Sequence, residues 1–268
     1  MEAFAAVRDR LPPLGDRIIF FNTIGSTNDV ALELAACAGA EGAIVIADEQ
    51  TKGRGRRGHP WFSPPRSGLY VSIVLRPSRA RIDPDRATGL LTLAAGVALA
   101  EAIEAVTALR ADIKWPNDLL VARRKLAGIL AEGGGRDTPA RQGEVRRATT
   151  VVLGYGINVG PTAPPTELGD RATSLESELG RPIDRAALCA ETLAAISRRY
   201  QDLLAGRFDV ILDAWRERAP SSHGVRVTWN TPSGPEAGVT AGIDDRGRLL
   251  VRVGDRMERI VAGELTWV

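Results

Sequence analysis

Imidazole and thiol groups are nearly missing from this chain. Its 268 residues hold two histidines, His59 and His223, and two cysteines, Cys37 and Cys189. Zinc sites and Ser-His-Asp machinery draw on imidazole, so the scarcity points any catalysis toward Lys, Arg, Asp, Asn and backbone amides. Each cysteine sits in an apolar, helical-looking run far from the other, and the expectation is two buried thiols, not a disulfide or a metal site. Long hydrophobic runs are lacking too, with no stretch expected to approach the ~18 residues that cross a bilayer. The opening residues, MEAFAAVRDRLPPLGDR, mix acids and arginines where a signal peptide has a basic start and a greasy core. These absences imply a cytoplasmic protein with no membrane partner. Net charge is low as well, at +2. A general polyanion binder spreads basic residues over a whole face, which this balance does not allow.

What is present is ordinary in bulk and uneven in detail. Apolar residues make up 44% of the chain and charged ones 25%, the proportions of a soluble globular protein. The length suits one large domain, or one plus a small one. RIIFFN (Arg17 to Asn22) reads as a strand, and STND supplies an approximate capping box at Ser26 for a helix running through Cys37. GAIVIA (Gly42 to Ala47) and LYVSIVLR (Leu69 to Arg76) read as buried strands. Asp83 and Pro84 fit the N-cap and first position of a long apolar helix that should pack on a sheet. IKWPNDLLV and KLAGILAE suggest a hairpin, and Thr149 to Val159 a further buried strand. Between these last two, the polar stretch Gly133 to Arg147 reads as an exposed, mobile loop. Two amphipathic helices follow, and from about His223 the pattern becomes short alternating runs, a small all-β unit. The expected division is 1–220 and 221–268.

The positive charge is concentrated in DEQTKGRGRRGHPWFSPPRSG, from Asp48 to Gly68. GRGRRG matches the spacing of a dinucleotide fingerprint, but DEQTK separates it from its strand, and Pro60, Pro64 and Pro65 oppose an immediate helix. It also has P-loop spacing, yet His59 and Pro60 stand where Lys and Ser or Thr are required. The remaining alternatives are a solvated basic loop and a flexible lid that orders over an anion, with arginine forks as donors and Trp61 covering a ring. Pro116 in KWPND bars regular pairing and suggests an exposed corner. In GYGINV, Gly154 and Gly156 on a core strand suggest that something approaches the backbone closely.

Taken in order, STN, GRGRRG with Trp61, KWPNDLLV, KLAGILAE and GYGINV resemble the biotin protein ligases, over about Arg17 to Leu179. The resemblance implies an α+β fold, in which a mixed-sheet catalytic domain of the biotin/lipoate ligase type precedes an SH3-like β-barrel. It implies a ligase that joins biotin to ATP as biotinoyl-5′-adenylate, then passes biotin to a lysine of a biotin carboxyl carrier protein. By the same resemblance Ser26, Thr27, Asn28, Gln50, Gly53, Arg54, Gly55, Arg56, Lys125 and Gly128 line the biotin pocket, with Ser26 and Thr27 near the ureido ring. Arg56, Arg57, Trp61, Asn117, Lys125 and Asn158 surround the nucleotide. Lys125, Arg56 and Asp118 carry the catalysis, and Mg²⁺ enters mainly on phosphate oxygens. The implied assembly is a monomer or homodimer. Members that repress transcription carry an N-terminal winged helix, for which the residues before Ser26 are too few, so no DNA partner is expected. The rivals are a lipoate ligase or octanoyltransferase of the same superfamily and, more remotely, a non-catalytic polyanion-binding module.

Overall fold

The computed structural model describes residues 5–134, 150–161, 171–231, 234–261 and 265–267. Among these residues twelve strands form two sheets. The first has seven, β1 (Ile18–Ile24), β2 (Ile44–Gln50), β3 (Gly68–Leu75), β4 (Asp112–Lys114), β5 (Asp118–Val121), β6 (Arg124–Gly134) and β7 (Thr150–Asn158), in the order β1-β2-β3-β7-β6-β5-β4. β1 and β2 run parallel and all other neighbours antiparallel, so the sheet is mixed as expected. Side chains alternate between the faces of a strand, so register decides what each face holds. Val71, Ile73, Leu153, Tyr155 and Ile157 point into the main core, and Val45, Val74 and Val152 into a smaller cluster on the other face.

Among the described residues five helices pack on the strands: α1 (Thr27–Ala35), α2 (Pro84–Thr107), α3 (Leu175–Leu179), α4 (Arg185–Leu204) and α5 (Phe208–Arg218). α2 starts where the sequence indicates. Asp83 accepts from the Arg86 amide and Pro84 opens the first turn. Its most apolar 18 residues have a mean hydropathy of 1.7, long and apolar enough to cross a membrane by composition. That corrects the expectation that no run approaches this length. The helix is nonetheless a core element, with 67% of that window buried and α4 and α5 against it. α1 ends at Ala35, two residues short of Cys37, because Ala36 already caps it. Cys37 is therefore exposed rather than buried, whereas Cys189 is buried in α4 and its thiol is pushed up to about 12 by that burial.

β8 (His223–Thr231), β9 (Gly234–Ile243), β10 (Leu249–Val253), β11 (Arg256–Ile260) and β12 (Thr266–Trp267) form the second sheet, ordered β11-β10-β9-β8-β12 and antiparallel throughout. It is an open sheet rather than the barrel the sequence suggested. Among the described residues the edge strands β11 and β12 do not pair, and two-residue β12 offers few groups to close a barrel. The turn between β9 and β10 docks on the first sheet. Trp115 Nε1 donates to Gly247 O at 3.0 Å, and Arg86 Nε donates to Asp245 O at 2.7 Å. Trp115 is thus buried under that turn, so the corner at Pro116 is only partly open. Gly133 and Gly134 continue β6 instead of beginning a loop, and 135–149 lies outside the described residues.

Candidate active site

The residues singled out from the sequence gather on the sheet face that carries α1. Register explains this. Ser72 on β3 pairs with Gly154 on β7, which pairs with Leu130 on β6, and Gly156 pairs with Gly128. These positions share the parity of Val74 and Val152, whose side chains leave the main core. Glycine at 128, 154 and 156 leaves the backbone bare, and α1 and the Asp48–Gly68 segment fill the space. A Cβ at Gly154 would lie 2.1 Å from Asn28 Oδ1, and one at Gly156 2.3 Å from Trp61 Nε1. Asn28 is buried and cannot swing aside. Gly154→Ala should therefore lower stability by about 1–3 kcal/mol, the usual cost of overpacking, read as a lower denaturant midpoint.

The cationic segment is an ordered hairpin. Trp61 N–H donates to Gly53 O at 2.9 Å and Gly55 N–H to His59 O at 2.7 Å. A 3₁₀ turn, Arg56–Gly58, forms the tip, with Arg57 left-handed at φ 56. At Gly53 a Cβ would meet Trp61 O at 2.5 Å and Ser63 Oγ at 2.6 Å, so only glycine lets the two legs close. The Trp61 indole lies over Gly128 and Gly156, with Lys125 Nζ 5.4 Å from a ring centroid. The buried Trp61 Nε1 has no acceptor among the described residues.

The hairpin's arginines divide into two kinds. Arg54 is neutralised, with Nη1 2.6 Å from Asp29 and Nη2 3.0 Å from Glu132. Arg56 donates to Asn117 Oδ1 at 3.2 Å. Burial and then the neighbouring Arg57 hold its guanidinium below the ordinary arginine value, with Asp118 opposing. It is a partly desolvated cation with no carboxylate in ion-pair contact among the described residues. Beyond it opens a cleft of about 300 Å³ between the Trp115–Asn117 corner, α2 and the Arg246–Arg248 turn.

Lys125 Nζ lies 2.7 Å from Asp118 Oδ1, a charge contact without hydrogen-bond alignment. β6 and β5 supply the pair, and Arg56 lies near enough to feel the Asp118 charge. Asn117 is fixed from both sides, since its Nδ2 donates to Ile129 O and its own carbonyl accepts Ile129 N–H, each at 2.9 Å. Asn158 Nδ2 donates to Thr173 O at 2.9 Å and to Lys125 O at 3.4 Å, tying β7 to the backbone of the lysine. At the other end Ser26 caps α1 by backbone geometry, without the side-chain bond of a capping box. Thr27 N–H donates to Gln50 Oε1 at 2.8 Å, and Gln50 Nε2 donates to Ser63 Oγ at 3.0 Å. Asn28 Nδ2 donates to Glu132. Sequence reasoning did not single out Asp29, Ser63, Ser72 or Glu132. A lone serine in the apolar strand LYVSIVL was the one available signal.

Several known proteins are similar to this chain. Residues 20–145 match the Biotin/lipoate A/B protein ligase family, and 222–265 match the Biotin protein ligase C terminal domain. The biotin--[acetyl-CoA-carboxylase] ligase of Mycobacterium tuberculosis is 33% identical over 96% of this chain and 97% of its own. The bifunctional ligase/repressor BirA of Bacillus subtilis is 36% identical over 94% of this chain and 74% of its own. Among solved structures, the biotin protein ligase from Aquifex aeolicus in complex with biotin and ATP superposes with a TM-score of 0.78. It is 27% identical and covers 95% of this chain and 99% of that one.

Proposed function

The chain belongs to the biotin protein ligase family, and we propose that its α1-bearing sheet face binds biotin and ATP side by side and joins them. The protein is a biotin–protein ligase, which activates biotin with ATP and transfers it to a carrier protein. The carboxylate of biotin attacks the α-phosphate, and pyrophosphate leaves with the electron pair of the broken P–O bond. The carrier lysine then attacks the acyl carbon of the adenylate, and AMP departs. One observation carries this reading: Thr27 and Gln50 at one end of a glycine platform and the Lys125–Asp118–Arg56 group at the other lie under one hairpin. The first end offers neutral hydrogen-bonding groups for an uncharged ring. The second gathers positive charge for two anions.

Lys125 then meets the carboxylate and α-phosphate, and Asp118 holds its ammonium in place. Asn117 fixes Arg56 above them. The platform at Gly128 and Gly156 takes a flat ring, here the Trp61 indole, which leaves Trp61 bordering the adenine. Among the described residues no three His, Cys, Asp or Glu side chains gather as a ligand set. Mg²⁺ would accordingly arrive on the nucleotide's phosphate oxygens, with Asp118 as a protein carboxylate beside them. Bound there, the ion neutralises charge on the phosphates. We place the catalytic unit at 1–220 and the smaller one at 221–268, and the acceptor is a carboxyl carrier domain in the cytoplasm.

Incubation with ATP, Mg²⁺, biotin and a biotin carboxyl carrier domain tests the function. The carrier's mass should rise by one biotinyl group, with an octanoate or lipoate arm giving no product. Modification by lipoate alone would move the chain to the lipoate side of its family. An unmodified carrier in both arms would refute the transfer reaction.

A further inference from the structure

The terminal strands of the two sheets differ in how they meet solvent. An edge strand carries unpaired N–H and C=O groups, a template for another chain, and natural proteins blunt it with short length, charge, proline or a bulge. β4 is only Asp112–Lys114, charged at both ends, and Lys114 Nζ lies 5.5 Å from the Trp267 ring centroid. β11 carries Arg256, Glu258 and Arg259, and β12 has two residues. β1, IIFFNTI, runs for seven residues without a charge, a proline or a bulge, and among the described residues it pairs only with β2. On it Phe20 is 61% exposed and Ile18 41%.

Register decides what this edge offers. Arg17 O accepts from Ile44 N–H, and backbone groups alternate in direction along a strand. Ile19 and Phe21 therefore bond to β2, while Ile18, Phe20 and Asn22 aim their N–H and C=O groups at the open side. Ile18 and Phe20 align with Ile44 and Ile46 of the main core, so their side chains lie at its uncovered margin. Arg17, Phe21 and Thr23 take the other face. There Thr23 Oγ1 donates to Glu49 Oε2 at 2.8 Å, which draws that carboxylate toward the edge. Arg17 is exposed at the start of the strand, and no carboxylate among the described residues pairs with it.

We propose that β1 is a self-association edge, which joins β1 of a second copy in antiparallel register about a two-fold axis at Phe20. Ile18, Phe20 and Asn22 then donate and accept across the join, and one sheet continues into the next. The Phe20 rings meet at the axis, and Ile18 packs beside Asn22 of the second copy. Arg17 stands opposite Thr23 of the second copy, within reach of the Glu49 carboxylate that Thr23 holds there. Symmetry forms this ion pair on both sides of the axis. The register is therefore complementary in charge as well as in apolar surface, which is what favours a second copy over an unrelated strand. β1 lies four strands from β6, about 19 Å at the usual spacing, so both copies keep Lys125 open.

Sedimentation of the full chain over about 1–500 μM tests this, and so small an interface should give a reversible monomer–dimer equilibrium in that range. Phe20→Lys, at an exposed position, should keep the circular dichroism spectrum and raise the dissociation constant at least about 30-fold. Arg17→Glu and Glu49→Arg should each weaken association about tenfold. Their combination should restore it, because every copy then offers the same pair reversed. Phe20→Cys in a Cys37→Ser background should cross-link under mild oxidation, since opposed Cα atoms in such a pair lie about 5.5 Å apart. Asn22→Cys in the same background should not, being about four residues out of step with its own counterpart. A monomer throughout the range, or a dimer unchanged in Phe20→Lys, would overturn the proposal. So would a charge exchange that restores nothing, or cross-linking as ready through position 22 as through position 20.

Discussion

Replacing Lys125 with alanine should slow adenylate formation by about 10²–10³-fold, the range for loss of one electrostatic donor in an active site. The reason lies in the reactants. A carboxylate approaching the α-phosphate of ATP brings two anions together, and at ~4 Å with an effective dielectric near 20 each unit pair repels by about 4 kcal/mol. The Lys125 ammonium is held 2.7 Å from Asp118 and beside the Trp61 ring, so it does not have to be collected from solvent when the phosphate arrives. Biotin-dependent exchange of labelled pyrophosphate into ATP measures this half-reaction without the carrier. A near-normal exchange rate in Lys125→Ala would remove the lysine from the mechanism. The thermal midpoint should be read alongside, because the variant leaves the Asp118 carboxylate without its cation.

The scarcity of histidine, the cap at Asp83 and the alternating strands were legible before any coordinates, because each depends on neighbours in sequence. So was the mixed sheet, through its resemblance to known ligases. The glycines of GYGINV announced a close approach, and the structure supplies the partners, Asn28 at Gly154 and Trp61 at Gly156. What could not be read was set by register between distant strands. Glu132 looks like an ordinary polar strand residue until β6 pairs with β7 and places it opposite α1. Arg54 and Arg56 are equivalent in GRGRRG, and only the tertiary fold gives two carboxylates to one and an amide to the other. Cys37 was misplaced because an alanine-rich run carries no stop signal before Gly39. The open C-terminal sheet differs from a barrel in strand pairing, which alternation alone does not determine.

That asymmetry between the arginines leads to the last expected result, in which Arg56→Ala loses selectivity more than it loses chemistry. An acyl-adenylate exposed to water or to stray amines reacts with either, so on the proposed function a hairpin that stays down until the carrier lysine arrives would protect it. On the proposed function Arg54 is a poor candidate to sense the nucleotide, since Asp29 and Glu132 already pair with it. Arg56 is a better one. It is partly buried, repelled by Arg57 and hydrogen-bonded to the neutral Asn117 amide, and among the described residues Asp118 attracts it without forming an ion pair, so a phosphate oxygen would give it a directly paired counter-charge. A hydrogen bond to a charged group contributes about 1.5–3 kcal/mol, which corresponds to an opening of the hairpin favoured about 10–150-fold when it is lost. With Arg56 removed, biotin should appear on surface lysines of a bystander protein at least about tenfold more often than with the unaltered enzyme. Mass spectrometry of a mixture of carrier domain and serum albumin counts those lysines directly. Biotin still confined to the carrier lysine would mean that the hairpin is kept shut by its Arg54 anchor and the bonds at Gly53, and that Arg56 has no part in retaining the adenylate.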